Sequence, residues 1–252
     1  MLPQKRDIQA LIKEDVFTWE YYGEGIGKIQ SWIFRSRLKC IINLLNQYCL
    51  NPEMILDVGC GCMFISYALL KNSKSEYVGV DIMPIEKLKN YRDAMRQLSK
   101  GKIEIIRASG DMLPFRNDTF NLVLALDVFE HLNNPIDTAT EIDRVIENRG
   151  FFGTSLPLEN TCQKILRVGL DIMKLMGDPI LKKEKQYKGV GHYLASEKTC
   201  NDMVRMLNKT FDLLNVEYTP IGIRRSFNVN AIHLWCTMHA CINTLFLNRL
   251  PR

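Results

Sequence analysis

Residues 54–61 read MILDVGCG, and this stretch decides the fold. Met54, Ile55, Leu56 and Val58 are the apolar residues of a short strand that carries an acid at Asp57. A glycine turn, Gly59-Cys60-Gly61, follows at once, and an apolar stretch of helical character begins at Cys62. Glycine has no Cβ, so such a turn lets a ligand lie against bare backbone. The N-terminus of the helix behind it supplies unpaired N–H groups. About twenty residues on, a second apolar strand, Tyr77–Val80, ends in Asp81. An acid there is suited to the two hydroxyls of a ribose. The opening of this core is therefore a nucleoside-binding α/β unit.

Working outward, strands and helices alternate. Strand 54–58 is followed by helix 62–71, strand 77–81, helix 84–98 and strand 103–108. A loop with Leu113-Pro114-Phe115 leads to strand 120–126, then to a helix opened by Pro135 and a strand 151–156 ending at Pro157. That order predicts a Rossmann-like, doubly wound α/β fold with a mostly parallel, seven-stranded sheet. In such sheets ligands bind beyond the carboxyl ends of the strands. Asp57–Gly61, Asp81, Ser109–Asp111 and Asp127–His131 all fall at those ends.

The flanks complete a single domain over residues 1–252. Residues 1–50 read as a helical cap, with a long helix from about Ile29 to Cys49 that Asn51-Pro52 stops. Its aromatic group, Phe17, Trp19, Tyr21 and Tyr22, packs the cap onto the sheet or lines a substrate mouth. Residues 51–157 form the ligand-binding core. Residues 158–196 interrupt the alternation with an amphipathic helix and a basic loop, and read as a lid. Residues 197–252 complete the sheet through helix 197–208, strand 211–218, a last strand in 226–238 and a short terminal helix.

Composition narrows the setting. The chain is 46% hydrophobic, enough to bury a substantial core, and its net charge of +5 comes from scattered clusters rather than one basic run. That argues for a solvated surface and against a nucleic-acid partner. The eight cysteines form no paired CxxC spacing and several lie in apolar stretches, so they read as reduced thiols of a cytoplasmic protein. The N-terminus lacks the apolar core of a secretion signal. Ala231–Asn248 contains no formally charged residue, but His233, Thr237, His239, Asn243, Thr244 and Asn248 interrupt it. Beside the strand-and-helix reading above, the rival for this stretch is a peripheral membrane contact, rather than a span.

The nucleoside follows from what the turn is not. A dinucleotide-binding turn, G-x-G-x-x-G, requires glycine at position 64, which is Phe64. The lysine–serine pair of a phosphate-binding loop is also absent. Instead, ILDVGCG (55–61), VGVD (78–81), LPFRNDTFNLVLALDVFEHL (113–132) and GFFGTSLP (150–157) resemble, in order and spacing, the class I S-adenosylmethionine-dependent methyltransferase family, type 11-like. The resemblance covers about residues 50–157 and implies S-adenosylmethionine as cofactor. It implies that Asp57 and the Gly59-Cys60-Gly61 turn hold the methionine part, and that Asp81 binds the ribose with Ile82 against the adenine. Ser109, Gly110 and Asp111 would border the base, and Asp127 would lie near the amino group and the transferred methyl. Two positions depart from the pattern. Met63 stands where the third glycine of the motif falls and is expected to crowd the cofactor or push the helix aside. Ser109 stands where an acid is usual; either Asp111 substitutes for it or backbone holds the adenine amino group.

The expected reaction is methyl transfer to a small-molecule or lipid- or glycan-linked acceptor, at oxygen; the amphipathic insertion motivates that acceptor class. The transfer is an in-line displacement, so alignment does most of the work, and a base is needed only where the acceptor holds its proton. His131, just past the fourth strand, is the candidate base, with His192 in the lid as its partner on the acceptor side. The alternative for Glu130 and His131 is hydrogen bonding to neighbouring loops. Asp127, Glu130, His131 and His192 also resemble the metal set of certain quinone-pathway and RNA 2′-O-methyltransferases, which makes a metal-assisted RNA enzyme the rival. A binding protein on a degenerate fold, motivated by Met63 and Ser109, is the third reading.

Overall fold

The computed structural model describes residues 51–63, 74–126, 128–132 and 134–159, shorter pieces at 69–70, 195–196, 205–207, 211–221 and 240–249, and helical positions 39, 42, 43 and 47. The strands are β1 (Met54–Val58), β2 (Glu76–Asp81), β3 (Lys102–Arg107), β4 (Phe120–Leu126), β5 (Ile146–Glu159), β6 (Ala195–Ser196), β7 (Phe211–Ile221) and β8 (Ala240–Arg249). The helices are α1 (Ile85–Leu98) and α2 (Pro135–Val145). The sheet runs β3-β2-β1-β4-β5-β8-β7, with β6 pairing β5 off that path. Strands β1 to β5 pair in parallel, whereas β8 is antiparallel to both β5 and β7. The α/β, doubly wound, mostly parallel architecture expected from the alternation is the one observed.

Alternation along β1 explains why both faces of the sheet are covered. Ile55 belongs to an apolar cluster with Tyr77, Ile103, Leu122 and Leu124, closed by Leu88, Tyr91, Ala94 and Met95 of α1. Leu56 and Val58 point the other way, into a cluster with Val80, Val123, Ala139, Ile142 and Val145 of α2, and Phe152. The helices present matching stripes. Leu88, Tyr91, Ala94 and Met95 recur at helical spacing on α1, as do Thr138, Ala139, Ile142 and Val145 on α2. Pro135 occupies the start of α2, where its missing N–H has no helical partner to lose.

Three expectations need correction. The helix after the turn does not start at Cys62. Gly61 and Met63 both have positive φ, 49° and 58°, which a right-handed helix excludes; helical residues are described at Leu69 and Leu70. The fifth strand is longer than expected, beginning at Ile146 and passing through Pro157 to Glu159, with a register irregularity against β4 between Phe120 and Leu122. Where a short terminal helix was expected, residues 240–249 are β8, hydrogen-bonded to β5 on one side and β7 on the other. A strand in the middle of a sheet needs no charge, which suits the part of the uncharged run that falls in 240–248. The last strand expected in 226–238 and most of the N-terminal cap lie outside the described residues, as does the lid apart from its ends. Those ends pair with each other, Leu158 with Ala195 and Glu159 with Ser196.

Met63 is the most informative departure. Its side chain is fully buried in the cluster with Leu70, Tyr77 and Leu88, so it packs into the core. The expected crowding of the cofactor does not occur through this side chain. The chain tolerates a left-handed methionine because burial offsets a conformational cost of ~1–2 kcal/mol. Met63→Gly removes that strain but also empties a core site, at about 2–5 kcal/mol for a buried Met truncated even to alanine. We expect a net loss of stability, read as a lowered urea midpoint. A raised midpoint would mean that the backbone strain outweighs the packing.

Candidate active site

The turn after β1 is pinned to the end of β2. The amides of Gly59 and Cys60 both donate to the Val80 carbonyl oxygen, at 2.8 and 3.1 Å. The Gly61 amide donates to Asp81 Oδ2 at 2.9 Å. These N–H groups are therefore used within the protein. What the turn offers a ligand is an open surface: a Cβ built on Gly61, whose φ is 49°, meets nothing within 4 Å. At Gly59 the reverse holds, because a Cβ there would collide with Val128 Cγ2. One glycine permits close packing against the loop after β4, and the other leaves room.

Asp81 is held at both oxygens. Its Oδ1 accepts from the Met83 amide at 2.9 Å, and Oδ2 accepts from Gly61 as described. Each carboxylate oxygen has a further lone pair, so the group is fixed in orientation yet retains capacity for two hydroxyls. Ile82 follows with 70% of its surface exposed. On the neighbouring parallel strand β3, the loop beyond Arg107 carries Ser109, Asp111 and Met112, all exposed, and Met112 is 78% exposed. Ile82 and Met112 are two of the three large exposed apolar side chains among the described residues. An apolar pair at the carboxyl ends of adjacent strands is suited to a flat base. Met112 was not singled out from the sequence, where a methionine in a loop carries no signal; its exposure is what marks it.

Beneath the turn lies a second carboxyl. Asp57 is 3% exposed, and Oδ2 accepts a short hydrogen bond from the hydroxyl of Tyr77, itself fully buried. Burial pushes the Asp57 carboxyl up to about 7, with the Asp81 charge adding to the rise and the Tyr77 hydroxyl opposing it. Burial also holds the Cys60 thiol well above its ordinary value, so it stays protonated. Tyr77 was read from the sequence only as a strand residue. Its role depends on parallel pairing of β1 with β2, which sets Tyr77 opposite Ile55 and brings its ring to the face shared with Asp57.

His131 lies at the carboxyl end of β4 in a short turn, Phe129–His131, and is exposed. Asp127, the Glu130 side chain and His192 lie outside the described residues. Among the described residues, no group of three His, Cys, Asp or Glu is arranged to hold a metal ion.

Comparison with known proteins agrees with this geometry. A family model described as a methyltransferase domain matches residues 56–154. Residues 56–154 are thus similar to a methyltransferase domain. The matched segment runs from within β1 to within β5 and so contains the turn, Asp81 and the 109–112 loop. It is similar to an uncharacterised methyltransferase of Schizosaccharomyces pombe, 30% identical over 52% of this chain and 50% of that one. The chain spans about half the length of the curated relatives it matches. Among solved structures it is similar to a SAM-dependent methyltransferase of Methanosarcina mazei, with a TM-score of 0.60 at 19% identity over 83% of this chain and 98% of that one. It is also similar to the N-methyltransferase NodS of Bradyrhizobium japonicum in complex with S-adenosyl-L-homocysteine, with a TM-score of 0.60 at 11% identity over 97% of each chain. At such identities the likeness is one of fold.

Proposed function

We propose that this protein transfers a methyl group from S-adenosylmethionine to a small-molecule or lipid- or glycan-linked acceptor, at oxygen. The observation that carries the cofactor assignment is Asp81, oriented at the end of β2 by two backbone amides beside the open face of Gly61 and the exposed Ile82. The residues fit the group: a ribose diol meets a fixed carboxylate, a flat base meets Ile82 and the 109–112 loop, and the methionine part meets the Gly59–Gly61 turn above Asp57. When bound, the sulfonium supplies an electrophilic methyl whose departure needs no proton.

The work left to the chain is alignment, worth ~7–11 kcal/mol in favourable cases, and removal of the acceptor hydroxyl's proton. Asp127 is assigned to the methyl and amino end of the cofactor, and His131 to the proton, with His192 on the acceptor side. The exposure of His131 at the carboxyl end of β4 supports its access to a substrate. As general base it contributes ~10²–10⁴-fold. His131→Ala is therefore expected to lower kcat within that range while leaving the Kd for S-adenosylhomocysteine unchanged. An unchanged kcat would return His131 to a loop-holding role.

The amphipathic 158–196 segment supports the acceptor class, and the cytoplasmic setting rests on the cysteine reading. Among the described residues no helix is long and apolar enough to cross a membrane. The binding-protein reading loses one of its two motives, since Met63 turns into the core. Calorimetric titration with S-adenosylmethionine and S-adenosylhomocysteine tests the proposal. Micromolar binding of both supports it, and absence of binding to the folded protein overturns it.

A further inference from the structure

Arg144, in the last turn of α2, uses all five guanidinium N–H groups. Nε donates to Glu141 Oε1 at 2.7 Å and Nη2 to Glu141 Oε2 at 2.8 Å, a two-point pair one helical turn apart. Nη2 also donates to the Leu113 carbonyl oxygen at 2.9 Å, and Nη1 donates to the Phe115 carbonyl oxygen at 2.7 Å and Asn117 Oδ1 at 3.0 Å. Glu141 completes the set by accepting from the Leu113 amide at 2.8 Å. Three positions of one loop are thus fixed to one helix by a planar fork, a geometry that a lysine point charge does not reproduce. The arginine beside it holds the Glu141 carboxyl below its ordinary range, chiefly through their hydrogen bonds.

The loop so held is the continuation of the exposed Ser109–Met112 turn. That turn has two anchors. On one side, the Ala108 amide donates to the Asp81 carbonyl oxygen at 3.2 Å. On the other, Leu113 is buried and carries the Glu141 and Arg144 bonds. Between the anchors, Gly110 rests on Val58 and on Thr138 of α2, where an added Cβ would lie 3.0 and 3.1 Å from their methyl carbons. No bond among the described residues ties the Met112 side chain down, so the spacing of this turn from Asp81 and Ile82 depends on its ends.

We propose that the Glu141–Arg144 pair is a positioning device that sets the wall of the base-binding slot, fixing Ser109–Met112 against Asp81–Ile82 and thereby the selectivity for adenine. This rests on the cofactor assignment above. The pair touches no ligand itself. It acts through the loop, and its loss lets the wall drift while the ribose and methionine contacts remain.

The test compares S-adenosylhomocysteine with S-inosylhomocysteine, which carries a carbonyl oxygen in place of the adenine amino group, by calorimetry on wild type, Arg144→Lys and Glu141→Gln. Urea unfolding of each variant confirms that it is folded under the conditions used. Arg144→Lys is expected to weaken S-adenosylhomocysteine binding about tenfold with a smaller effect on the inosyl compound, so that discrimination falls. Glu141→Gln, which keeps an acceptor for the Leu113 amide, is expected to lie between wild type and Arg144→Lys, and serves if the lysine variant does not fold. Lowered stability with both affinities unchanged would overturn the proposal and leave the pair a structural clamp. A wild type that binds neither compound would overturn the cofactor assignment and this inference with it; a wild type that binds, with variants that discriminate equally well, would overturn this inference alone.

Discussion

Asp81→Ala is expected to weaken S-adenosylhomocysteine binding by about a hundredfold or more, which corresponds to about 2.7 kcal/mol. A carboxylate that accepts two hydroxyls makes two charge-assisted hydrogen bonds, each worth ~1.5–3 kcal/mol, so the expectation is at the low end of what the geometry allows. The substitution acts twice. It removes the ribose acceptor, and it also releases the Gly61 and Met83 amides that the carboxylate now holds at 2.9 Å. Asp81→Asn separates the two effects, because it keeps one oxygen for a backbone amide while losing the charge and one acceptor. It should restore stability more fully than affinity. Calorimetry and thermal unfolding on both variants make the measurement. A folded Asp81→Ala protein that binds within about threefold of wild type would mean that the nucleoside lies elsewhere.

The second large effect is on the pH dependence of stability, through Asp57. Its carboxyl is raised from an ordinary 3.8 to about 7 in the folded chain. Between those values the native protein keeps a proton that the unfolded chain has released, so the native state binds more protons and stability falls as pH rises. The contribution is most favourable below the unfolded value and has been lost once the pH passes the folded one. Over the full window it is on the order of 4 kcal/mol, and about 3 kcal/mol of it falls between pH 5 and pH 8. Asp57→Asn has nearly the same shape and no titration, and its oxygen still accepts from the Tyr77 hydroxyl. Urea unfolding should therefore show wild type losing stability from pH 5 to pH 8 relative to the variant, with the variant more stable at pH 8. Parallel profiles for the two proteins would mean that Asp57 is already ionised in the native state. The positive charges of the bound cofactor favour the ionised carboxylate, so cofactor binding near neutral pH is expected to release a proton.

Much of this was legible in the sequence because it depends on local pattern. Five parallel strands, the helix from residue 85 and the helix opened by Pro135 follow from the period of apolar residues and from turn chemistry, which act within a few residues of chain. The placement of Asp57, Gly59, Gly61 and Asp81 at the carboxyl ends of strands follows from their position just past each apolar run. What the pattern misjudged was the stretch 240–249, expected as a short terminal helix. Whether it is a helix, a membrane contact or an interior strand depends on what lies beside it, and β5 and β7 are far away in sequence.

The sequence by itself determined an α/β sheet with a nucleoside site at the ends of its strands. Tertiary structure decided how that site is built. The Met63 side chain could have entered the ligand space or the core, and only the position of α1 and β2 directs it inward. Likewise the parallel pairing of β1 with β2 sets Val80 and Asp81 beneath the turn amides as acceptors. Tyr77 meets Asp57 for the same reason. Arg144 reaches across 29 to 31 positions of chain to the Phe115 and Leu113 carbonyls. Each of these contacts joins residues far apart in sequence, and their partners are fixed by strand order and helix packing, which no local periodicity encodes.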